Sequence, residues 1–368
     1  MTSSNRLLSG ISIALLTLIA GACKVEDAPP SPYEEGAYIV NAGTPGASNG
    51  SISFIARNTA TPTVDIFNAA NGRALGGTVQ DYTEIDGKGV ILVDNNAGGQ
   101  DKVEIVESGT FKSLATFQAP DVENPRFVVY AGPNKAYISC WDATGSGANT
   151  YTKPGYILVL NLGSRTVVKK IPVTKGAERM VLVNKEVFVG SVGGEQVLTV
   201  INTDTDEVVQ PGIDAGVNAN PIAFDANKKL WAYASSTNEM VRINPTSKIV
   251  ETRLKVGRGP KTPSAITLNA DKTIFFFVNS FNDPADNGKL KGETYRFSIN
   301  DVTIQANTPF IRRLFSGLSV DPYDARGLLY AAVTPSANQP GYAIRYQPSG
   351  ALVDSIKADI APTRFFFR

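Results

Sequence analysis

The sequence closes on "APTRFFFR" (361–368), in which a proline precedes an apolar segment with three consecutive phenylalanines. A chain end usually frays into water, so a segment this apolar needs a surface against which it can be buried. The same form, a proline before an apolar segment, occurs in "NPRFVVY" (124–130) and "NPIAFDA" (220–226). The final residues therefore have the form of one strand of an internal repeat.

An apolar segment with a large side chain near its start recurs seven times along the chain. The marker residues of these segments follow one another at intervals of 43 to 55 residues. They are Tyr38, Ile91, Tyr137, Phe188, Trp231, Phe275 and Tyr330. Further apolar segments flank the markers, with Gly, Asn, Asp and Pro in the connections. Because no 11-residue window has convincing helical periodicity, the chain is predicted to be all-β.

Four strands in a repeat of roughly 40 to 55 residues are typical of a β-propeller blade. The first repeat begins directly with its marker segment "AYIVNAG" (37–43) and lacks the strand that precedes the marker elsewhere. The segment 361–368 has the form of that missing strand, and no further repeat follows it. We therefore predict a seven-bladed β-propeller with four-stranded blades over residues 37–368, closed by the C-terminal strand, which completes blade 1.

The composition excludes several classes of function. Lysine and arginine total 35 and aspartate and glutamate total 34, so the chain has no basic excess for binding nucleic acid. Histidine is absent, which removes the usual general base and the commonest metal and haem ligand. Cys140, in the apolar segment "AYISCW" (136–141), is predicted to be a small buried side chain. No catalytic residue, metal site or cofactor is predicted.

Residues 1–22 place one basic residue before an apolar stretch and small residues before Cys23, which is the pattern of a secretory signal. The segment resembles a bacterial lipobox, although Ala20 stands where Leu is preferred, and the resemblance implies a lipid anchor on Cys23. Residues 23–36, rich in Pro and acidic residues, are predicted to form a tether. Its acidic pair 26–27 resembles the surface-export signal of Bacteroidetes lipoproteins. We expect an outer-membrane lipoprotein at the cell surface, attached to the membrane only through its lipid. A plain signal peptide with an incidental cysteine is the alternative.

With these repeats, the chain resembles the YncE-like seven-bladed propellers. More narrowly, it is similar to Bacteroidetes surface lipoproteins built on that propeller, the BtuG-type or DUF5074-like group. The resemblance spans residues 37–368 and rests on motifs of the fold. It implies an accessory role beside a TonB-dependent outer-membrane transporter and, for the BtuG type, capture of cobalamin. A shared fold does not specify the ligand.

In a propeller, the loops between second and third strands and the links into the innermost strands meet at one face, around the channel. Two of these loops are long: "WDATGSGANTYTKPG" (141–155) in blade 3 and "NSFNDPADNGKLKG" (279–292) in blade 6. They lie across the ring from each other and offer aromatic and hydrogen-bonding groups. The candidate ligand-binding residues in them are Trp141, Asp142, Tyr151, Phe281 and Asn282. Aromatic side chains packed against their own blades are the alternative.

Arginines form a second set of candidates. Arg126, Arg179 and Arg364 follow the starts of innermost strands, which predicts a position near the channel rim. They could bind carboxylate or phosphate groups, and ion pairing between blades is the alternative. Asn95, in "DNNAGGQD" (94–101), is a further candidate, although this stretch lacks the spacing of a calcium loop.

Three functions stay open at this point. The leading hypothesis is a non-enzymatic surface lipoprotein that binds a small molecule, such as a corrinoid or another large nutrient, for an outer-membrane transporter. Without histidine, the protein would recognise a corrinoid through aromatic and amide groups rather than through an imidazole on cobalt. The alternatives are a protein-interaction scaffold without a small ligand and a metal-dependent, lactonase-like hydrolase.

Overall fold

The computed structural model describes residues 31–142, 144, 150–257 and 259–368. The predicted signal and Cys23 lie outside these residues, as does most of the predicted tether. Residues from Pro32 to Arg368 form one compact unit. Their strands are arranged in seven antiparallel sheets, which confirms the predicted seven-bladed propeller.

Within each blade the strands follow one another from the channel outward, and they are numbered in chain order. Blade 1 contains β27 (Pro362–Phe367), β1 (Gly36–Asn41), β2 (Ser51–Ala56) and β3 (Pro62–Thr63). Blade 2 contains β4 (Thr78–Ile85), β5 (Lys88–Asp94), β6 (Lys102–Glu107) and β7 (Ser113–Phe117). Blade 3 contains β8 (Pro125–Gly132), β9 (Lys135–Cys140), β10 (Tyr156–Asn161) and β11 (Thr166–Pro172).

The remaining four blades follow the same order. Blade 4 contains β12 (Ala177–Val183), β13 (Glu186–Ser191), β14 (Val197–Asn202) and β15 (Glu207–Asp214). Blade 5 contains β16 (Ala219–Phe224), β17 (Leu230–Ala234), β18 (Glu239–Asn244) and β19 (Ile249–Lys255). Blade 6 contains β20 (Thr262–Leu268), β21 (Ile274–Asp283) and β22 (Lys289–Ser298). Blade 7 contains β23 (Gly317–Val320), β24 (Leu329–Val333), β25 (Pro340–Tyr346) and β26 (Leu352–Ile360).

The C-terminal phenylalanines close the ring as predicted. Strand β27 is the innermost strand of blade 1 and pairs with β1. Because side chains alternate across a strand, Phe365 and Phe367 pack into the cluster between blades 7 and 1, whereas Phe366 packs on the cluster between blades 1 and 2. Where β1 begins and β27 ends, Gly36 and Arg368 exchange backbone N–H···O hydrogen bonds of 3.1 and 3.0 Å. The apolar chain end is therefore packed against hydrophobic clusters on both of its faces, with Phe366 half-buried.

The core lies between the blades rather than within them. In the described part of the chain, a hydrophobic cluster joins each blade to the next around the ring. All seven marker residues are at most 1% exposed. Trp231 is among them, and its indole N–H donates to Asp225 Oδ2 at 2.8 Å. Each marker therefore fills the space between two sheets, which explains why a large side chain recurs at that position.

Blade 6 differs from the others because, within the described residues, it has three strands. An irregular segment occupies the outer position, and there Thr294 donates its backbone N–H to Ile311 O at 2.8 Å and accepts from Phe310 N at 2.7 Å. Blade 1 instead has a very short outer strand followed by helix α1 (Ile66–Asn71), which sequence periodicity did not predict. Among the residues described, no helix is long and apolar enough to cross a membrane.

The stretch predicted as a long loop of blade 6 is a β-hairpin instead. Strands β21 and β22 stay paired as far as Asp283 and Lys289, and a 3-10 turn (Pro284–Asp286) joins them. The Asp283 side chain accepts from Ala285 N at 2.9 Å, and Asn287 adopts a left-handed conformation. Because Asp283 and Asn287 form a short turn, the residues on either side of it stay hydrogen-bonded in the strand pair.

Candidate ligand-binding site

The innermost strands of all seven blades surround a cavity in the propeller channel. Its volume is about 550 Å³, which lies in the range of small-molecule sites. Most of the wall consists of small or apolar residues, with hydroxyl groups from Thr267, Ser319 and Thr363. The charged groups on it are Asp81, Arg179 and Arg364.

A second cavity of about 290 Å³ adjoins the first at the channel mouth. The two share six lining residues, which are Phe127, Arg179, Ile222, Ala265, Ile266 and Arg364. Its other polar groups come from the starts of innermost strands and the ends of second strands, such as Glu178, Asn220 and Tyr233. This is the face on which the sequence predicted a site.

Two of the predicted arginines flank one aromatic ring in the channel. The guanidinium carbon of Arg364 is 3.9 Å from the centre of the Phe127 ring, and that of Arg179 is 5.5 Å from it. Arg364 Nη1 pairs with Asp81 Oδ1 at 3.2 Å. The Arg179 guanidinium has no ion pair or hydrogen bond to any described residue. The three residues come from blades 1, 3 and 4, so the ring closure itself brings them together.

The pKa of Arg179 reflects this position. Burial and the positive charge on Arg364 lower the pKa to about 10, while the charges on Asp81 and Glu178 raise it. The group is therefore charged at neutral pH. An unpaired, half-buried guanidinium presents up to five N–H donors to whatever occupies the cavity.

The predicted residues Arg126, Trp141 and Tyr151 lie together at the rim of blade 3. The Arg126 guanidinium carbon is 3.9 Å from the centre of the Trp141 ring, and Tyr151 packs edge-on against the indole at 5.0 Å. Trp141 Nε1 donates to Glu178 Oε2 at 2.8 Å. Arg126 also pairs with Asp94 at 3.4 Å and with Glu178 at 3.5 Å. Glu178 thus connects this rim cluster to the mouth cavity, and Arg126 forms the ion pairs between blades that were its alternative role.

The other predicted residues lie apart from the two cavities. Asp142 borders a separate cavity on the outer side of blade 3, next to Tyr156 and Lys170. Asn95 donates its side-chain amide to Gly76 O at 2.7 Å and accepts from Ala97 N at 2.8 Å, as a turn residue does. Residues 143 and 145–149 of the blade 3 loop lie outside the described residues.

Phe281 and Asn282 are placed on the hairpin of blade 6. The Lys261 ammonium lies 4.7 Å from the centre of the Phe281 ring, and Lys261 also pairs with Glu293. Asn282 is exposed and lies opposite Leu290 in the strand pair. Neither Phe281 nor Asn282 lines the channel cavity or the mouth cavity.

Sequence reasoning missed Phe127, Asp81 and Glu178. Phe127 follows Arg126 directly, and strict alternation would send only one of the two toward the channel. A register shift between Pro125 and Phe127 interrupts the pairing there, and a similar shift lies between Ala177 and Met180. Such bulges redirect side chains, so the residue that faces the channel cannot be assigned from alternation alone.

The fold and the site define a seven-bladed β-propeller whose channel holds an arginine-lined cavity, open at the face that carries the loops between second and third strands. The family described as "Domain of unknown function (DUF5074)" matches residues 35–326, and the chain belongs to this family. No curated protein matches the chain.

Solved structures with the same architecture come from several bacteria. A quinonprotein alcohol dehydrogenase-like protein from Bacteroides thetaiotaomicron matches with a TM-score of 0.65 at 14% identity, over 90% of this chain and 78% of that one. A functionally unknown protein from Desulfotomaculum acetoxidans matches with a TM-score of 0.62 at 13% identity, over 91% of this chain and 99% of that one. Hydrazine synthase of Kuenenia stuttgartiensis matches with a TM-score of 0.52 at 14% identity, over 74% of this chain and 85% of that one. At these identities the likeness concerns the fold.

Proposed function

We propose that this protein is a non-enzymatic binding protein that captures a small molecule at the mouth of its propeller. The observation that carries the proposal is the pair of adjoining cavities, to which every blade contributes and which open at one face. Concave sites of this volume that combine polar and apolar groups on the wall are typical of ligand-binding proteins.

The side chains at the mouth favour a ligand with a polar end and an extended, partly apolar body. The polar end fits the channel, where arginine and hydroxyl groups line the wall. The body would contact the half-buried aromatic surfaces of Tyr233 and the Trp141–Tyr151 pair. Aromatic rings offer large contact areas at a low cost in conformational entropy.

The charged groups of the cavity favour binding over catalysis. Asp81 is its carboxylate, and it accepts from Val128 N at 3.1 Å while it pairs with Arg364. Both carboxylate oxygens are therefore already engaged, Oδ1 by Arg364 and Oδ2 by Val128 N, which leaves the group less available to act on a substrate. The absence of histidine from the sequence agrees with this assignment.

The N-terminal sequence extends the proposal to the cell surface. Lipidation of Cys23 would hold the propeller at the outer membrane on the tether of residues 23–36. Some of the YncE-like and BtuG-type lipoproteins that the chain resembles look like accessory proteins of TonB-dependent outer-membrane transporters. We propose the same role here, with a corrinoid or another large nutrient as the ligand.

The test is a binding screen on the chain without its predicted signal and anchor, residues 24–368. Thermal shift and calorimetry are measured with cobalamins and other corrinoids, siderophores, haem, glycans, and calcium with and without chelator. We expect at least one organic ligand to raise the melting temperature, since a ligand of the native state stabilises it in proportion to occupancy. Trp141→Ala should lower the affinity for that ligand at least about tenfold, by analogy with binding hot spots.

Tyr323→Ala is the matched control, because Tyr323 is 64% exposed and follows β23 at the opposite face of the ring. The affinity of the Tyr323→Ala variant for the organic ligand should equal that of the wild type. Equal loss in both variants, or no response to any organic ligand, would contradict capture at the mouth and favour a protein-interaction scaffold. A response to calcium alone would favour the metal-dependent hydrolase.

A further inference from the structure

The channel contains one cationic group whose charge no described residue neutralises. Arg364 is paired with Asp81, whereas the nearby Arg179 guanidinium has no ion pair or hydrogen bond to a described residue. Both groups lie within 6 Å of the centre of the Phe127 ring. Two cations thus lie at one ring, and only Arg364 has a carboxylate as its ion-pair partner.

The two carboxylates near Arg179 are already engaged. Asp81 accepts from Val128 N and pairs with Arg364. Glu178 accepts from Trp141 Nε1 and pairs with Arg126. Turning either one toward Arg179 would leave another buried donor or cation without its partner, which is costly.

The backbone at Arg179 is held in place by the neighbouring blade. Arg179 N donates to Asn220 Oδ1 at 3.2 Å, and Asn220 Nδ2 donates to Ser191 O at 3.0 Å. Gly190 leaves the space for this amide, since a Cβ there would lie 2.3 Å from Asn220 Oδ1. The guanidinium therefore extends from a fixed point into the region where the channel and mouth cavities overlap.

The surroundings of Arg179 match the needs of an oxyanion. A planar guanidinium binds carboxylate and phosphate through two parallel N–H···O bonds, and Arg364 adds a second positive charge. The hydroxyl groups of Ser264, Ser319 and Thr267 line the same cavities and can donate to further oxygens. Apolar side chains such as Ile222 and Ala265 also line the wall near the guanidinium, and their low polarity strengthens electrostatic attraction there.

We infer that the channel is an oxyanion site, in which Arg179 binds a carboxylate or phosphate group of the ligand with Arg364 as the supporting cation. This inference rests on the proposed function, because it assigns a chemical class to the ligand of the same mouth. The anionic end enters the channel, and the neutral body stays at the rim near Trp141.

The experiment uses two small probes, inorganic phosphate and succinate, titrated into residues 24–368 by calorimetry at low ionic strength. The wild type is expected to bind at least one probe with a Kd below about 10 mM, the weak end of specific affinities. Arg179→Gln should lower the affinity for that probe at least about tenfold. Arg179→Lys keeps the charge and loses the planar fork, so its affinity should lie between the two. The preferred probe identifies the ligand as a phosphate or a carboxylate.

Arg165→Gln is the matched control, because it removes the same charge from an exposed turn between β10 and β11 on the opposite face. It should bind as the wild type does. Equal affinities in the wild type and Arg179→Gln, or no binding of either probe by the wild type, would overturn the oxyanion site. Melting curves of each variant separate lost binding from lost folding.

The result is distinguishable from the test of the proposed function. An organic ligand that needs Trp141 but binds Arg179→Gln with unchanged affinity would leave the capture function standing and overturn the oxyanion site. Probe binding that needs Arg179, with no organic ligand at the mouth, would support the oxyanion site and contradict the capture of a larger molecule.

Discussion

Phe366 lies directly opposite Tyr38 in the pair of strands β27 and β1, and their ring centres are 6.1 Å apart. The two residues are almost the whole length of the propeller apart in sequence. The innermost strand of blade 1 is therefore supplied by the last residues of the chain, and its second strand by the first residues of the propeller. Neither end can leave the blade without exposing the core clusters on both sides of it.

Removal of residues 361–368 should abolish cooperative unfolding, because blade 1 would lose its innermost strand and two clusters would be exposed. Thermal unfolding followed by circular dichroism measures this. The milder change Phe367→Ala should lower the free energy of unfolding by about 3–5 kcal/mol. Tyr323→Ala, at an exposed aromatic residue, should change it by less than about 0.5 kcal/mol. An unchanged melting curve after the deletion would contradict ring closure by β27.

The two channel arginines should differ in their effect on stability. Arg179→Met removes a desolvated cation that Arg364 repels, so the free energy of unfolding should stay equal or rise by about 1 kcal/mol. Arg364→Met leaves Asp81 without its cation and should lower the free energy of unfolding by about 1–3 kcal/mol. Urea unfolding of both variants measures the contrast. Similar destabilisation by both would mean that Arg179 is held by a partner in the folded state.

Tryptophan fluorescence should report ligand binding through one residue. The chain has two tryptophans, of which Trp231 is fully buried between blades and Trp141 is half-buried at the rim. Acrylamide should quench Trp141 and leave Trp231 largely unaffected. A ligand at the mouth should change the emission of the wild type and leave that of Trp141→Phe unchanged. A ligand-dependent signal that persists in Trp141→Phe would place the bound molecule elsewhere.

Alkaline pH should destabilise the propeller through its buried tyrosines. Burial raises the pKa of Tyr38 to about 12 from the usual 10, against the lowering effect of Arg368. Burial also raises the pKa of Tyr82 well above 10. Between pH 10 and 12 the unfolded chain has lost these protons while the folded chain keeps them, so stability falls as pH rises, by up to about 1.4 kcal/mol per pH unit for each group.

Urea unfolding between pH 8 and 11.5 measures that slope. Tyr38→Phe should make it shallower, although the hydrogen bond from Tyr38 OH to Tyr33 O at 2.6 Å is lost at every pH. Tyr323→Phe, at an exposed site, should leave it unchanged. A slope that is the same in all three proteins would contradict a role for Tyr38 in the alkaline transition.

The fold could be predicted because each blade repeats the same physical requirement. A large residue such as Trp231 or Tyr330 must fill the space between sheets, and alternating strands with turn residues surround it. The hairpin of Phe281 escaped prediction because Asp283 and Asn287 allow a turn much shorter than the polar stretch that contains it. Polarity alone does not separate an extended hairpin from a loop.

The site could be predicted less well. Their position after the starts of innermost strands predicted that Arg126, Arg179 and Arg364 lie near the channel rim, but ion pairing depends on partners from other blades. Asp81 and Glu178, which decide which arginine stays unpaired, belong to different repeats from Arg364 and Arg126. Contacts between residues so far apart in sequence follow only from the closed ring.

The hydrogen bonds between Gly36 and Arg368 place both ends of the propeller at the face opposite the mouth. Because both ends lie on one face, attachment through either end fixes the orientation of the propeller. A tag or a surface linkage attached after residue 368 leaves the mouth pointing into solution, so oriented immobilisation on a sensor keeps the binding face accessible. An attachment through the residue before Gly36 leaves from the same face, because Gly36 begins β1 beside Arg368.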